Sequence, residues 1–107
     1  MVVTQPDRPY GRKRIPKPTP VKSAAEKLGI PVLCCENLKD ENVQDQIAAI
    51  APDFITVVAF GQKVPQAVID IPRYACLNVH PSLLPKYRGG NPVSRAILNG
   101  ERITGVS

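Results

Sequence analysis

The sequence predicts an α/β fold, a mostly parallel sheet with flanking helices. Three observations predict it. Segments with apolar residues at helical spacing alternate with short runs rich in β-branched residues. One of those runs, Phe54 to Phe60 (FITVVAF), is almost continuously apolar, which is the pattern of a parallel strand buried on both faces. Helix start and stop residues bracket the intervening segments. With 107 residues, the chain is enough for one small domain.

Residues 1 to 4, MVVT, read as a short strand. Residues 5 to 20 hold five prolines and a glycine, a density that no helix or central strand tolerates. The spacing predicts an exposed, basic, proline-stiffened loop there. A helix follows, capped by Thr19, started by Pro20 and stopped by Gly29, with Val21, Ala24, Ala25 and Leu28 on its inward face. Ile30 to Cys34 is the next strand. A second helix spans Asp40 to Ile50, with Val43, Ile47 and Ile50 inward, acids at its positive end and Pro52 beyond it. Gly61 ends the FITVVAF strand, and Pro65 to Ile69 makes a single helical turn. Ala75 to His80 is a strand. Asn91 caps a third helix, Pro92 begins it, Ile97 and Leu98 face inward, and Gly100 ends it. Ile103 to Val106 begins another strand.

Composition narrows the function classes. Apolar residues make up 43% of the chain, enough to bury a core. No run of some 18 apolar residues exists to cross a bilayer, and the N-terminus lacks a basic-then-apolar signal pattern. A cytoplasmic protein is expected. Cys34, Cys35 and Cys76 show no C-x-x-C spacing, so neither a zinc site nor a redox motif is indicated. They read as small buried residues in a reducing compartment, in preference to a nucleophilic Cys35 or Cys76. The net charge of +5 is confined to one region: residues 1 to 22 hold six Lys/Arg against Asp7, and the remainder holds eight of each sign. Such asymmetry points to a polyanionic partner.

Chemistry concentrates in residues 75 to 92, ACLNVHPSLLPKYRGGNP, which contain the only histidine, His80. Asn78 stands two residues before it, so on a strand both side chains project from one face. Pro81 biases His80 towards extended geometry and ends the strand. An amide and an imidazole at the carboxyl end of a strand stand where open α/β sheets bind ligands. The plainer alternative is a polar strand end, with His80 bonded to a nearby carbonyl. An amide such as Asn78 can stabilise an oxyanion, and an imidazole can carry protons near neutral pH.

The run N-V-H-P-S-L-L-P-K-Y-R-G resembles the signature of enzymes that transfer a formyl group from 10-formyltetrahydrofolate. The resemblance implies a Rossmann-like formyltransferase fold, incomplete at both ends here. It implies catalytic roles for Asn78 and His80, and a folate site lined by Ser82, Leu83, Leu84 and Pro85 with Gln62, Lys63 and Val64. No metal is implied. For the Ser-Leu-Leu-Pro run the alternative is a rigid connection filling core, and for residues 62 to 65 a plain strand-to-helix turn.

The stretches T-Q-P-D-R-P, Gly11-Arg12 and Pro18-Thr19-Pro20-Val21-Lys22 resemble the branch of the family whose loop enters the acceptor end of initiator methionyl-tRNA. In that branch Arg12 matches the arginine that enters the tRNA, with Arg8, Lys13, Arg14 and Lys17 as phosphate partners. A solvated basic loop is the plainer alternative. Relatives with small-molecule acceptors share the Asn-x-His element, and a non-catalytic RNA-binding module is a third possibility. Lys13 replaces a usual glycine, and Gly90-Asn91 replaces a usual Ala-Ala. The resemblance further implies a strand and helix ahead of Val2, an aspartate beyond Thr104-Gly105-Val106 that orients the histidine, and a C-terminal tRNA-binding domain. None lies within these residues, so the expectation is a fragment of a protein that is monomeric when complete. The fragment is expected to be inactive or nearly so, with exposed sheet edges prone to aggregation.

Overall fold

In chain order the elements are β1 (Val2–Thr4), β2 (Arg8–Tyr10), β3 (Ile15–Lys17), α1 (Pro20–Lys27), β4 (Val32–Cys34), α2 (Glu41–Ala49), β5 (Phe54–Val58), α3 (Gln66–Ile69), β6 (Ala75–Val79) and α4 (Pro92–Leu98). They come from a computed structural model that describes residues 1–10 and 14–107. The chain divides into two units, Met1–Gln46 and Ile47–Ser107. Each unit is built on one parallel strand pair.

In the first unit β1 pairs parallel with β4, Val2 opposite Val32 and Thr4 opposite Cys34. Helix α1 packs on both strands. Its N-terminus forms as the sequence predicts. The Thr19 hydroxyl accepts from the Lys22 N–H at 3.1 Å, and Pro20 takes the first turn, where a missing N–H is harmless. Thr19 Oγ1 also lies 2.9 Å from Thr4 Oγ1, which joins the cap to the end of β1. At the other end Gly29 adopts φ +67°, and the Ile30 N–H returns to the Ala25 carbonyl at 2.9 Å, closing a Schellman-type stop. The Lys22 ammonium meets Asp7 at 2.7 Å, and that hydrogen bond raises the Lys22 pKa. In α2 the Asp40 carboxylate accepts from the Asn42 N–H at 2.9 Å, a side-chain cap on the helix's positive end.

Three expectations for this unit are corrected. The proline-rich stretch is not a loop: β2 and β3 form an antiparallel hairpin, with Arg8 opposite Lys17, Pro9 opposite Pro16 and Tyr10 opposite Ile15. Hydrogen-bonded and non-hydrogen-bonded pairs alternate along such a ladder. The two prolines face each other in a non-hydrogen-bonded pair, where their missing donors take nothing from the ribbon. The apolar stripe of α1 is mostly open, because a two-stranded sheet covers only Ala25; Val21, Ala24 and Leu28 are exposed. Cys34 is exposed, whereas Cys35 is buried as expected.

In the second unit β5 pairs parallel with β6, from Phe54 opposite Ala75 to Val58 opposite Val79. The crossover between them contains the single turn α3. Where β6 begins, the Tyr74 N–H reaches the Asp53 carbonyl at 3.0 Å, and the Phe54 and Tyr74 rings lie 5.4 Å apart. β5 ends at Val58, two residues short of the predicted Phe60, and it is not buried on both faces. Ile55 and Val57 are half-buried while Phe54, Thr56 and Val58 are exposed, because β6 is its only strand partner among the described residues. The Asn91 side chain makes no cap hydrogen bond; Asn91 instead supplies a left-handed backbone, φ +56°, which asparagine tolerates better than most residues. Pro92 and Ala96, four apart, form the buried side of α4, so Ile97 and Leu98 face outward, contrary to expectation. In α2 Val43 and Ile47 are buried but Ile50 is exposed. Residues 103–106 form no strand; the chain is held instead at Ser107, which exchanges two backbone hydrogen bonds of 2.8 Å with His80. No helix among the described residues is long and apolar enough to cross a membrane.

Candidate active site

Parallel pairing in register puts the carboxyl ends of β5 and β6 side by side. On one face Val57 stands opposite Asn78, and Ile55 opposite Cys76. Beside that face lies a cleft of about 270 Å³, lined by Val57, Gln62, Val64, Ile69, Cys76 and Asn78. Two-residue alternation explains Cys76 and Asn78 together. Residues 62 and 64 reach the cleft because β5 stops at Val58 and the chain turns back through Ala59 (φ +46°) and Gly61 (φ +81°). Burial pushes the Cys76 thiol pKa up, so it stays protonated near neutral pH. The Asn78 amide takes no hydrogen bond among the described residues. It is a polar group with donors to spare on a largely apolar wall, the composition of a small-ligand site.

His80 does not line this cleft. Its Nε2 lies 2.8 Å from the Tyr87 carbonyl. A carbonyl oxygen only accepts, so Nε2 carries the proton, and Nδ1 of the neutral ring is left with a lone pair. The Tyr87 backbone is left-handed, φ +56°. Its hydroxyl donates to Glu101 Oε1 at 2.8 Å, and Lys86 Nζ meets the same oxygen at 2.9 Å. The Asn99 amide donates to the Tyr87 hydroxyl at 3.2 Å, and the Arg95 guanidinium stands 5.8 Å over the ring while donating to the Arg88 carbonyl at 3.3 Å. Lys86 and then the Tyr87 hydroxyl hold the Glu101 pKa down, and Glu101 holds that of Lys86 up.

The loop from 80 to 87 is internally tied. Ser82 is fully buried; its hydroxyl donates to the Lys86 carbonyl and its N–H to the His80 carbonyl, each at 2.8 Å. Ser107 Oγ donates to the Ser82 carbonyl at 2.8 Å and accepts from the Leu84 N–H at 3.1 Å. The peptide bond from Leu84 to Pro85 is cis. Leu83 rests on Gly105: a Cβ there would lie 2.7 Å from Leu83 Cδ2. Leu83 and Leu84 are about half exposed.

Of the sequence-predicted site residues, Asn78, Gln62 and Val64 come together on the cleft. His80, Lys63, Ser82, Leu83, Leu84 and Pro85 do not line it, and the Ser82 side chain faces its own loop. Val57, Ile69 and Cys76 were missed. Cys76 could have been found by stepping back two residues from Asn78. Arg8, Arg14 and Lys17 are exposed on the β2–β3 hairpin, and Arg12 and Lys13 lie outside the described residues. Among the described residues no three His, Cys, Asp or Glu side chains are grouped to hold a metal ion.

A parallel α/β scaffold with an asparagine-bearing cleft at its strand ends defines a class, and the whole sequence fits it: the formyl transferase family model matches residues 1–107, and the chain belongs to that family. The curated relatives that the chain resembles are methionyl-tRNA formyltransferases. The methionyl-tRNA formyltransferase of Macrococcus caseolyticus is 53% identical over all 107 residues, which are 34% of that protein. Those of Halalkalibacterium halodurans and Bacillus cytotoxicus are 53% and 49% identical over 106 residues, 33% and 34% of their lengths. The chain thus spans about a third of the length of the curated relatives it matches.

Proposed function

We propose that this chain forms part of an enzyme that transfers the formyl group of 10-formyltetrahydrofolate to the amino group of methionyl-initiator tRNA, a step of translation initiation. The observation that carries the reading is the Asn78 amide on the wall of the 270 Å³ cleft, in a chain about half identical to methionyl-tRNA formyltransferases along its whole length. Ligand pockets run from about 300 to 1,000 Å³. The cleft is therefore of a size for the flat ring system of a folate and not for the whole molecule. Val57, Val64 and Ile69 supply apolar contact, and the Gln62 and Asn78 amides supply polar recognition.

In the proposed reaction the methionyl amine attacks the formyl carbon and negative charge develops on the formyl oxygen. Asn78 donates to that oxygen with little reorganisation. His80 stands off the cleft, two residues beyond Asn78, with Nε2 held by the Tyr87 carbonyl; its Nδ1 would take the proton lost by the amine at the cleft's edge and pass it to the leaving nitrogen. Folate contacts by Ser82 would come from its backbone, since its hydroxyl is spent on Lys86. Arg8, Arg12, Lys13, Arg14 and Lys17 would meet tRNA phosphates, and their solvent-facing hairpin, where described, supports a polyanion contact. The complete protein is proposed to act in the cytoplasm, as a monomer.

The test is a chimera in which these 107 residues replace the matching third of the Macrococcus caseolyticus relative. It should formylate methionyl-tRNA, and Asn78→Ala should lower kcat about a hundredfold to a thousandfold. His80→Ala should lose activity on a similar scale with the fold retained. Full activity in either variant would overturn the roles. Turnover indifferent to loss of the Arg12, Lys13 and Arg14 charges would instead favour a small-molecule acceptor.

A further inference from the structure

We propose that Tyr87 and Glu101 are positioning residues that lock the His80 imidazole with its proton on Nε2. The inference rests on the proposed role of His80 in proton transfer and adds an orienting group that lies within this chain.

One nitrogen of the His80 ring is committed, Nε2 to the Tyr87 carbonyl at 2.8 Å. A backbone carbonyl can hold an imidazole still only if the backbone itself is fixed. At Tyr87 it is fixed from several sides. The left-handed φ of +56° aims the peptide in a direction most residues avoid, so this conformation needs outside support. That support comes through the side chain: hydroxyl to Glu101 at 2.8 Å, Asn99 amide to hydroxyl at 3.2 Å, and the Arg95 guanidinium over the ring. Glu101 also holds Lys86, the preceding residue, at 2.9 Å. One carboxylate oxygen therefore receives both the Tyr87 hydroxyl and the Lys86 ammonium, and it is the Tyr87 bond that anchors the residue whose carbonyl His80 reads. The opposite flank of the histidine is held by its two backbone bonds to Ser107. The ring is thus fixed in rotation and in tautomer, with the Nδ1 lone pair as the basic position.

The only histidine gives an unambiguous signal, so the test is NMR of the ¹⁵N-labelled chain at a pH where the imidazole is neutral. The His80 Nε2–H proton should be directly visible and protected from exchange. Tyr87→Phe keeps the ring but removes the hydroxyl, and should speed that exchange about tenfold, the scale of one net hydrogen bond. The amides of β1 and α1 should stay unmoved. Glu101→Ala should match Tyr87→Phe, and Glu101→Gln, which keeps an oxygen acceptor, should restore most of the protection. A merely structural role would shift amides broadly and would not be rescued at the imidazole. Unchanged Nε2–H exchange in Tyr87→Phe, or a neutral ring protonated on Nδ1, would overturn the proposal, as would Glu101→Gln exchanging no more slowly than Glu101→Ala. If Glu101→Ala fails to fold, Tyr87→Phe still decides. The measurement needs neither formyl donor nor acceptor. A failure of the formylation assay would leave it standing, and a failure here would leave formyl transfer standing.

Discussion

Ser82 shows that a motif does not say which part of a residue can face a ligand. It follows Asn78 and His80 in a motif whose resemblance implies folate contact, yet its side chain has no exposed surface and its hydroxyl closes the loop onto Lys86. Ser82→Ala should destabilise the chain by roughly 0.5–1.5 kcal/mol, since the Lys86 carbonyl loses the hydrogen bond of a buried hydroxyl. Urea unfolding of the variant would read that loss; a difference near zero would mean the loop does not need the bond. Asn78 was legible because alternation along a strand is a geometric certainty once the strand is granted. A carbonyl partner for His80 was one of the two readings the sequence allowed; which carbonyl was not legible, because it lies seven residues away in a turn whose left-handed Tyr87 carries no glycine to announce it.

At the scale of elements, ends were easier to read than faces. Thr19, Pro20 and Gly29 bound α1 through short-range chemistry that is written in consecutive residues. Burial is a long-range property, set by what covers a face, and so Val21, Leu28, Ile97 and Leu98 were placed inward by periodicity and stand outward in the fold. The β2–β3 hairpin was hidden by its prolines, although their symmetric placement around residues 11 to 14, with Tyr10 and Ile15 inside them, was the available signal. Thr19→Ala removes both the cap and the link to Thr4, and should cost about 1–2 kcal/mol, with Thr19→Ser recovering most of it. Circular dichroism melts of the two variants would check the order; equal stability of Thr19→Ala and the unaltered chain would show that α1 does not depend on its cap.

For the molecule as a whole, exposed ion pairs define a pH window. Glu101 is held below its ordinary 4.5 by Lys86 and the Tyr87 hydroxyl. A carboxyl depressed in the folded state adds stability that is complete above about 4.5 and lost as pH falls through the folded value. Lys22 and Lys86 are raised above 10.5 by their bonds to Asp7 and Glu101. Their contribution is complete below 10.5 and lost as pH rises through the raised values. Burial pushes the Cys35 and Cys76 thiols up from 9.0, so they take stability away as pH rises above 9.0. Denaturation midpoints should therefore be level only between about 4.5 and 9.0 and fall beyond each. Because both pairs are solvent-exposed, high salt should shrink the falls. In Glu101→Gln the Glu101 contribution to the acid-side fall should be gone; an acid limb identical to that of the unaltered chain would contradict the assignment.

The facing prolines of the hairpin have one more effect. In a non-hydrogen-bonded pair the backbone groups of both residues point away from the partner strand, towards the ribbon's two outer rims. Pro9 and Pro16 have no N–H to present there, so each rim lacks a donor at its midpoint. A stray strand approaching from either side finds an interrupted template, whereas β5 and β6 offer continuous ones. The hairpin can therefore project Arg8, Arg14 and Lys17 into solvent without recruiting another copy of itself. Replacing both prolines with valine would leave the charge unchanged and open both rims to pairing.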